Sequence, residues 1–172
     1  MSDTEKPKQD EIFYSICHTV LKLEVGKGHL KWTVSDISRE SGVTRSLIYY
    51  YFGKEKEVIL EEAYRYMLDT IFNLKREESL GIKERMKLTL KRLQEMPYLF
   101  VLYYLKKNSD TQIGELIRAA EEQLMNNFKK DYPEMSEEEV LKIFIMELGC
   151  IAYQLSPEKS DQLFEGLNRK AK

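Results

Sequence analysis

Residues 33–53 set a glycine, Gly42, between two short segments that each open on a threonine. Few local patterns restrict a backbone so closely. The Thr33 hydroxyl suits the free N–H groups of a first helical turn, and Asp36, three residues on, suits the positive end of a helix. Val34, Ile37, Ser38 and Ser41 then follow helical spacing with only small or apolar residues facing inward. Gly42 ends this helix, as expected where the chain turns through a left-handed conformation. Val43 plugs the turn and Thr44 caps again. The helix that follows has room for only about two turns. Val43, Ile48 and Phe52 point to the core, which leaves Arg45, Ser46, Tyr49, Tyr50 and Tyr51 largely outside. A helix so short, carrying a guanidinium and several hydroxyls, suits insertion into a DNA major groove. The same pattern fits a surface hairpin of two helices with scattered aromatics equally well.

The helical period persists through the rest of the chain, and nothing in it supports strand structure. The expectation is an all-α chain of about nine helices. Ile12, Phe13, Ile16, Cys17, Val20, Leu21 and Leu23 mark the first, stopped by Gly26 and Gly28. Trp32, the only tryptophan, stands just before the Thr33 cap and is expected to pack helix one onto the next two. A fourth helix, from Lys54 to about Glu78, has no internal Gly or Pro and reads as a stiff connector. Helix five covers Ile82 to Glu95. Pro97 opens the most apolar run, 98–105, expected as an internal helix buried nearly all round. A helix from Thr111 to Asp131 ends at Tyr132-Pro133. Ser136-Glu137-Glu138-Glu139 starts another as a capping box, and Ser156-Pro157 precedes a last short one.

Composition sets limits. Lys and Arg total 27 against 29 Asp and Glu, a net charge of −2, which argues against a non-specific nucleic-acid coat or a basic membrane anchor. Between Glu24 and Lys56, however, six positive residues face four negative ones, a local excess of two. Two cysteines in apolar helical contexts, Cys17 and Cys150, fit reduced thiols in a cytosol rather than a disulfide framework. A polar N-terminus and the lack of any run of 18 apolar residues give no sign of targeting or membrane spanning, so a cytoplasmic location is expected. His18 and His29 lack partners at ligand spacing, so no metal or other cofactor is expected. There is no Gly-rich phosphate loop, and adjacent Cys17 and His18 point about 100° apart on a helix, a poor dyad. No enzymatic activity is expected.

The stretch from Thr33 resembles the DNA-binding signature of the TetR family of transcriptional regulators. The resemblance rests on Thr33, the pair Ile37 and Ser38, the run Gly42, Val43 and Thr44, then Ile48 and Tyr49, Tyr51 and Phe52, and the charged start Lys54 to Glu57. It covers roughly the first third of the chain. Two positions depart from the family pattern: Ser46 stands where a glycine is frequent, and Glu55 where a lysine usually opens helix four. The resemblance implies a three-helix DNA-binding domain (1–53), an effector-binding and dimerising domain (54–172), and a repressor binding a palindromic operator as a homodimer. It makes Arg45 the candidate for a guanine or phosphate contact and Leu47 for a thymine methyl. Tyr49, Tyr50 and Tyr51 would clamp phosphates, while Thr33, Ser35, Thr44, Ser46, Lys54 and Lys56 hold the backbone. The alternative is a regulator-like fold that works as a protein-interaction or ligand-carrier module without DNA.

In the second domain, Met67, Phe72, Met86, Met96, Tyr98, Phe100, Tyr103 and Tyr104 are the candidates to line an adaptable aromatic cavity for an unidentified small-molecule effector. Plain core explains the same residues equally well. The last two helices carry more apolar surface than one neighbour can cover. Phe144, Ile145, Leu148, Gly149, Ile151, Ala152, Leu163, Phe164 and Leu167 are therefore the candidate dimer interface.

Overall fold

The computed structural model describes residues 9–72 and 81–165. Nine helices and no strand occur among them: α1 (Gln9–Lys27), α2 (Val34–Ser41), α3 (Arg45–Phe52), α4 (Lys56–Ile71), α5 (Ile82–Glu95), α6 (Pro97–Lys106), α7 (Gln112–Asp131), α8 (Glu137–Ala152) and α9 (Pro157–Leu163). The caps follow local chemistry. Thr33 and Asp36 form a reciprocal capping box, as do Ser136 and Glu139. Thr44, Thr111 and Ser156 cap α3, α7 and α9 through their hydroxyls.

The chain divides between Met67 and Leu68 into two compact units. The sequence places a boundary at residue 53, whereas the first compact unit extends through most of α4. The cause is visible in its packing: Ile59, Leu60, Ala63, Tyr64 and Met67 are all buried. The Phe13 and Tyr66 rings meet at 5.8 Å, and the Tyr66 hydroxyl donates to the Asp10 carbonyl. The core of this unit also holds Ile16, Cys17, Val20, Leu21, Trp32, Ile37 and Ile48. Helix α4 begins at Lys56 rather than Lys54, and its expected continuation toward Glu78 lies outside the described residues.

In the second unit α5 packs on α6, α8 and α9, while α7 packs on α6 and α8. The α6 segment differs from its expected all-round burial. Leu99, Leu102 and Tyr103 are buried, but Val101, Leu105 and Tyr104 are exposed, the last by 75%. Helices α5 and α7 cover only part of α6, and an apolar run does not say which of its faces will find a neighbour. No described helix is long and apolar enough to cross a membrane.

Candidate nucleic-acid interface and effector chamber

Helices α2 and α3 are held by bonds that the sequence dictates locally. Gly42 has φ 71° and its N–H donates to the Ser38 carbonyl, closing α2 in the left-handed form. The Val43 N–H donates to the Ser41 hydroxyl at 3.2 Å, and the Ser15 hydroxyl of α1 donates to the Ser41 carbonyl at 3.1 Å. The turn is thus tied on both sides. Ile48 and Phe52 are buried, with Val43 half-buried beside them. Arg45, Ser46, Thr44 and Ser35 are exposed, and so are Tyr49 and Tyr50, the latter by 80%. Arg45 Nη1 lies 3.4 Å from Ser35 Oγ, which brings the starts of the two helices together. Thr33 is exposed, but both its hydroxyl and N–H donate to Asp36 Oδ2 at 2.8 Å.

Two predicted phosphate contacts turn inward. Tyr51 is half-buried, its ring edge-to-face with Phe13 at 5.0 Å, so it belongs to the packing of α3 on α1. Lys56 donates to the Leu30 carbonyl at 3.0 Å and lies 5.8 Å from the centre of the Trp32 ring. Lys54, by contrast, is exposed. The reason is register: α4 starts at Lys56, whose stem therefore runs along the first unit, whereas Lys54 stays in the preceding bend.

The acidic residues of this region are largely neutralised within the fold. Asp36 takes Lys27 and Arg39 at 2.7 Å each, and with Thr33 these donors hold its carboxyl well below the usual carboxylate range. Glu40 pairs with Lys22 at 3.6 Å. Glu24 is buried and accepts from Trp32 Nε1 at 2.7 Å, from the Leu30 N–H at 3.0 Å and from His29 Nδ1 at 2.6 Å. Lys31, Arg45 and Lys54 meanwhile project to solvent, with Glu55 the exposed acid among them, so the local excess of two positive charges lies at the surface. Sequence reasoning missed Glu24. The signal was an acid in the last turn of an apolar helix, a few residues ahead of a tryptophan whose N–H needs a partner when buried.

The second unit encloses an apolar chamber of about 30 Å³, walled by Leu68 and Ile71 of α4, Phe72, Leu93, Phe100, Tyr103, Phe144 and Ile151, among others. A larger recess of about 520 Å³ adjoins it, bounded by Leu90, Gln94, Pro97, Val101, Cys150 and Ala152. Leu93, Phe100 and Ile151 belong to both walls. Of the predicted cavity residues, Phe72, Phe100 and Tyr103 therefore line it. Tyr104 points to solvent, Met96 is buried elsewhere, and Tyr98 is half-buried off the wall. Met67 belongs to the first unit, and the Met86 side chain lies outside the described residues. Tyr103 donates its hydroxyl to Glu121, which also takes Lys107 at 2.5 Å; burial first, then that carboxylate, pushes the phenol pKa well up.

The candidate interface residues divide by face. Phe144 and Phe164 are buried in the unit itself, Phe144 as chamber wall, and are corrected from interface to core. Ile145 and Leu163 are exposed, by 57% and 51%, and so is Ala152; Leu148, Gly149 and Ile151 are half-buried. Leu167 lies outside the described residues. Among the described residues no group of three His, Cys, Asp or Glu side chains is placed to hold a metal ion.

Two capped helices around a left-handed glycine, the second presenting arginine, hydroxyls and tyrosines, make this a helix-turn-helix DNA-binding transcription regulator. Residues 22–63 match the family model of the bacterial regulatory proteins of the tetR family, a stretch that holds α2, α3 and the start of α4. No curated protein sequence matches the chain. Among solved structures, it is similar to the fatty acid degradation regulator FadR from Bacillus halodurans. That match has 17% identity and a TM-score of 0.54, over 94% of this chain and all of the other. It is also similar to the transcriptional regulator FadR from Bacillus subtilis in complex with stearoyl-CoA, at 18% identity and TM-score 0.57 over 90% and 97% of the two chains. At these identities the likeness is one of fold.

Proposed function

We propose that this DNA-binding regulator is an effector-responsive repressor that acts as a homodimer on a two-fold symmetric operator. Arg45 is the residue for a guanine edge or phosphate, and Leu47 the contact for a thymine methyl. Thr33, Ser35, Thr44, Ser46, Tyr49, Tyr50 and Lys54 hold the phosphate backbone. Two recognition helices, one per subunit, read successive major grooves about one DNA turn apart. The line Leu141, Ile145, Leu148 and Ala152 on α8, exposed except for the half-buried Leu148, repeats at four, three and four residues, the spacing of a helix seam. A Cβ added at Gly149 meets nothing within 4 Å in its own chain. Both features support a second copy seated there.

The observation that carries the effector reading is that the last turn of α4 is itself a wall of the chamber, through Leu68 and Ile71. In its present form the chamber has room for one or two waters, whereas the adjoining recess is of ordinary ligand size. A molecule with an apolar chain and a polar head fits that pair. Its chain enters only by parting the walls, which acts on α4. Stearoyl-CoA, held by the Bacillus subtilis neighbour, is such a molecule and the natural first trial. It works as an effector only to the extent that it binds the DNA-free form better than the DNA-bound form.

The test is fluorescence anisotropy on labelled duplex from the gene's own upstream region and on an unrelated duplex, over a salt series. A repressor of this kind prefers the upstream duplex, loses affinity steeply with salt, and releases the DNA when stearoyl-CoA is added. Equal and salt-insensitive binding to both duplexes refutes the operator reading. Retention of DNA at saturating stearoyl-CoA refutes that effector class.

A further inference from the structure

The segment between α1 and the Thr33 cap carries a strained residue gripped from both sides. Leu30 has φ 53°, a left-handed backbone that a branched aliphatic residue rarely adopts. Its N–H donates to the buried carboxylate of Glu24 at 3.0 Å, and its carbonyl accepts from the Lys56 ammonium at 3.0 Å. The same two side chains also fix the neighbouring indole. Glu24 accepts from Trp32 Nε1 at 2.7 Å, and Lys56 sits 5.8 Å from the ring centre. Trp32 is fully buried and adjoins Thr33, the residue that starts α2. One acid from the end of α1 and one base from the first residue of α4 thus impose the conformation from which the helix-turn-helix departs.

We propose that Glu24 and Lys56 form a clasp on the Leu30 peptide that positions α2 and α3 for DNA, and that Lys56 acts through this clasp rather than by touching phosphate. Strain of this kind persists only where the surroundings over-determine it. The over-determining groups here are charged, and one belongs to the helix that runs on into the second unit. Displacement of the α4 start by the length of one hydrogen bond frees the Leu30 carbonyl, lets the segment relax toward an ordinary backbone, and moves the Thr33 cap with it. The clasp is thus a point at which a shift of α4 becomes a loss of reading geometry. This rests on the DNA-binding role of the first unit but not on any particular effector.

The experiment compares the full-length protein with Lys56→Met, Lys54→Met, Leu30→Gly and the Lys56→Met/Leu30→Gly double variant. It reads operator affinity over a salt series and Trp32 emission without DNA. Loss of the clasp predicts that Lys56→Met weakens operator binding about tenfold, leaves the salt slope unchanged, and shifts Trp32 emission to the red in the free protein. Adding Leu30→Gly, which tolerates the left-handed backbone unaided, restores at least half of that loss on a logarithmic scale. Lys54→Met lowers the salt slope by about one, as for a phosphate contact, with Trp32 unchanged. The proposal is overturned if Lys56→Met itself lowers the slope by about one with Trp32 unmoved, or if Leu30→Gly gives no rescue. Were the wild-type protein to bind no duplex, the DNA-binding role would fail. The emission shift and its reversal by Leu30→Gly would still decide the clasp.

Discussion

Replacing Glu24 tests how much of the first unit hangs on one buried carboxylate. Its two oxygens divide the work: Oε2 receives both Trp32 Nε1 and the Leu30 N–H, and Oε1 receives His29. Glu24→Ala orphans the indole N–H in a fully buried ring and the Leu30 N–H in a partly buried segment. Leaving a buried donor without an acceptor costs about 1–3 kcal/mol, and the second donor retains some access to water. The expected loss is therefore about 2–4 kcal/mol. Glu24→Gln discriminates between charge and geometry. Its carbonyl oxygen placed at the Oε2 position keeps both donors, and its amide then faces His29 Nδ1, which accepts in the neutral tautomer with the proton on Nε2. The side chain of His29 is 59% exposed and free to adjust. Glu24→Gln should thus cost less than about 1.5 kcal/mol. The assay is urea denaturation followed by Trp32 fluorescence, with α-helical circular dichroism as a second probe. Equal losses for Ala and Gln would refute the bonding account and leave charge pairing as the cause. A loss below about 0.5 kcal/mol for Ala, in the range of an ordinary surface change, would refute the role altogether.

Three further outcomes follow from the same geometry. Arg45→Ala should cost about 1–3 kcal/mol of operator affinity while leaving helical content unchanged, and should relax selectivity at one base position, read by anisotropy on a set of single-base variants. Asp36 is held below its ordinary pKa of 3.8 by Lys27, Thr33 and Arg39, so the unfolded chain takes up that proton more readily than the native one. Its contribution is complete well above pH 3.8 and is withdrawn as pH falls through and below that value. Asp36→Asn should flatten the acid limb of a stability–pH curve, and an unchanged limb would exclude the Lys27 and Arg39 pairing as its origin. Ile145→Lys puts a charge into the exposed α8 line without touching the core. Sedimentation should show a monomer with wild-type circular dichroism, and persistence of the dimer would place the interface elsewhere.

What was legible in the sequence is what is settled within one or two turns. The Thr33 and Asp36 box, the Gly42 stop and the Ser136 and Glu139 box each involve residues three or four apart, and the local chemistry leaves the backbone few options. The positions misassigned are those decided by distant partners. Lys54 and Lys56 look interchangeable in a run of alternating charges, but a start at Lys56 commits that residue to a carbonyl 26 positions earlier. Phe144 and Ile145 are neighbours in an apolar stripe that serves two faces. The inner one holds Val140, Ile143, Phe144 and Glu147, and the outer one exposes Leu141 and Ile145. A stripe broader than one neighbour needs announces that two surfaces exist. It does not say where one ends and the other begins.

Helix α4 joins these local and distant effects. A helix ordinarily leaves its last carbonyls without intrahelical partners, and such ends fray. Here the Thr70 carbonyl accepts from Arg92 and the Ile71 carbonyl from Thr89 at 3.3 Å, both on α5. At the other end the Lys56 side chain is bonded to the Leu30 carbonyl. A helix tied at both ends by side-chain hydrogen bonds cannot absorb a displacement by unwinding a turn. It passes the displacement on or loses a bond. Thr89 is buried and, like Ile71, lines the chamber, so the α5 end follows the chamber wall. The Lys56 bond is made by a long flexible ammonium at a half-buried site, where water can replace the carbonyl. If an effector shifts α4 at all, the bond that yields is the one to Leu30, which is where the reading helices begin.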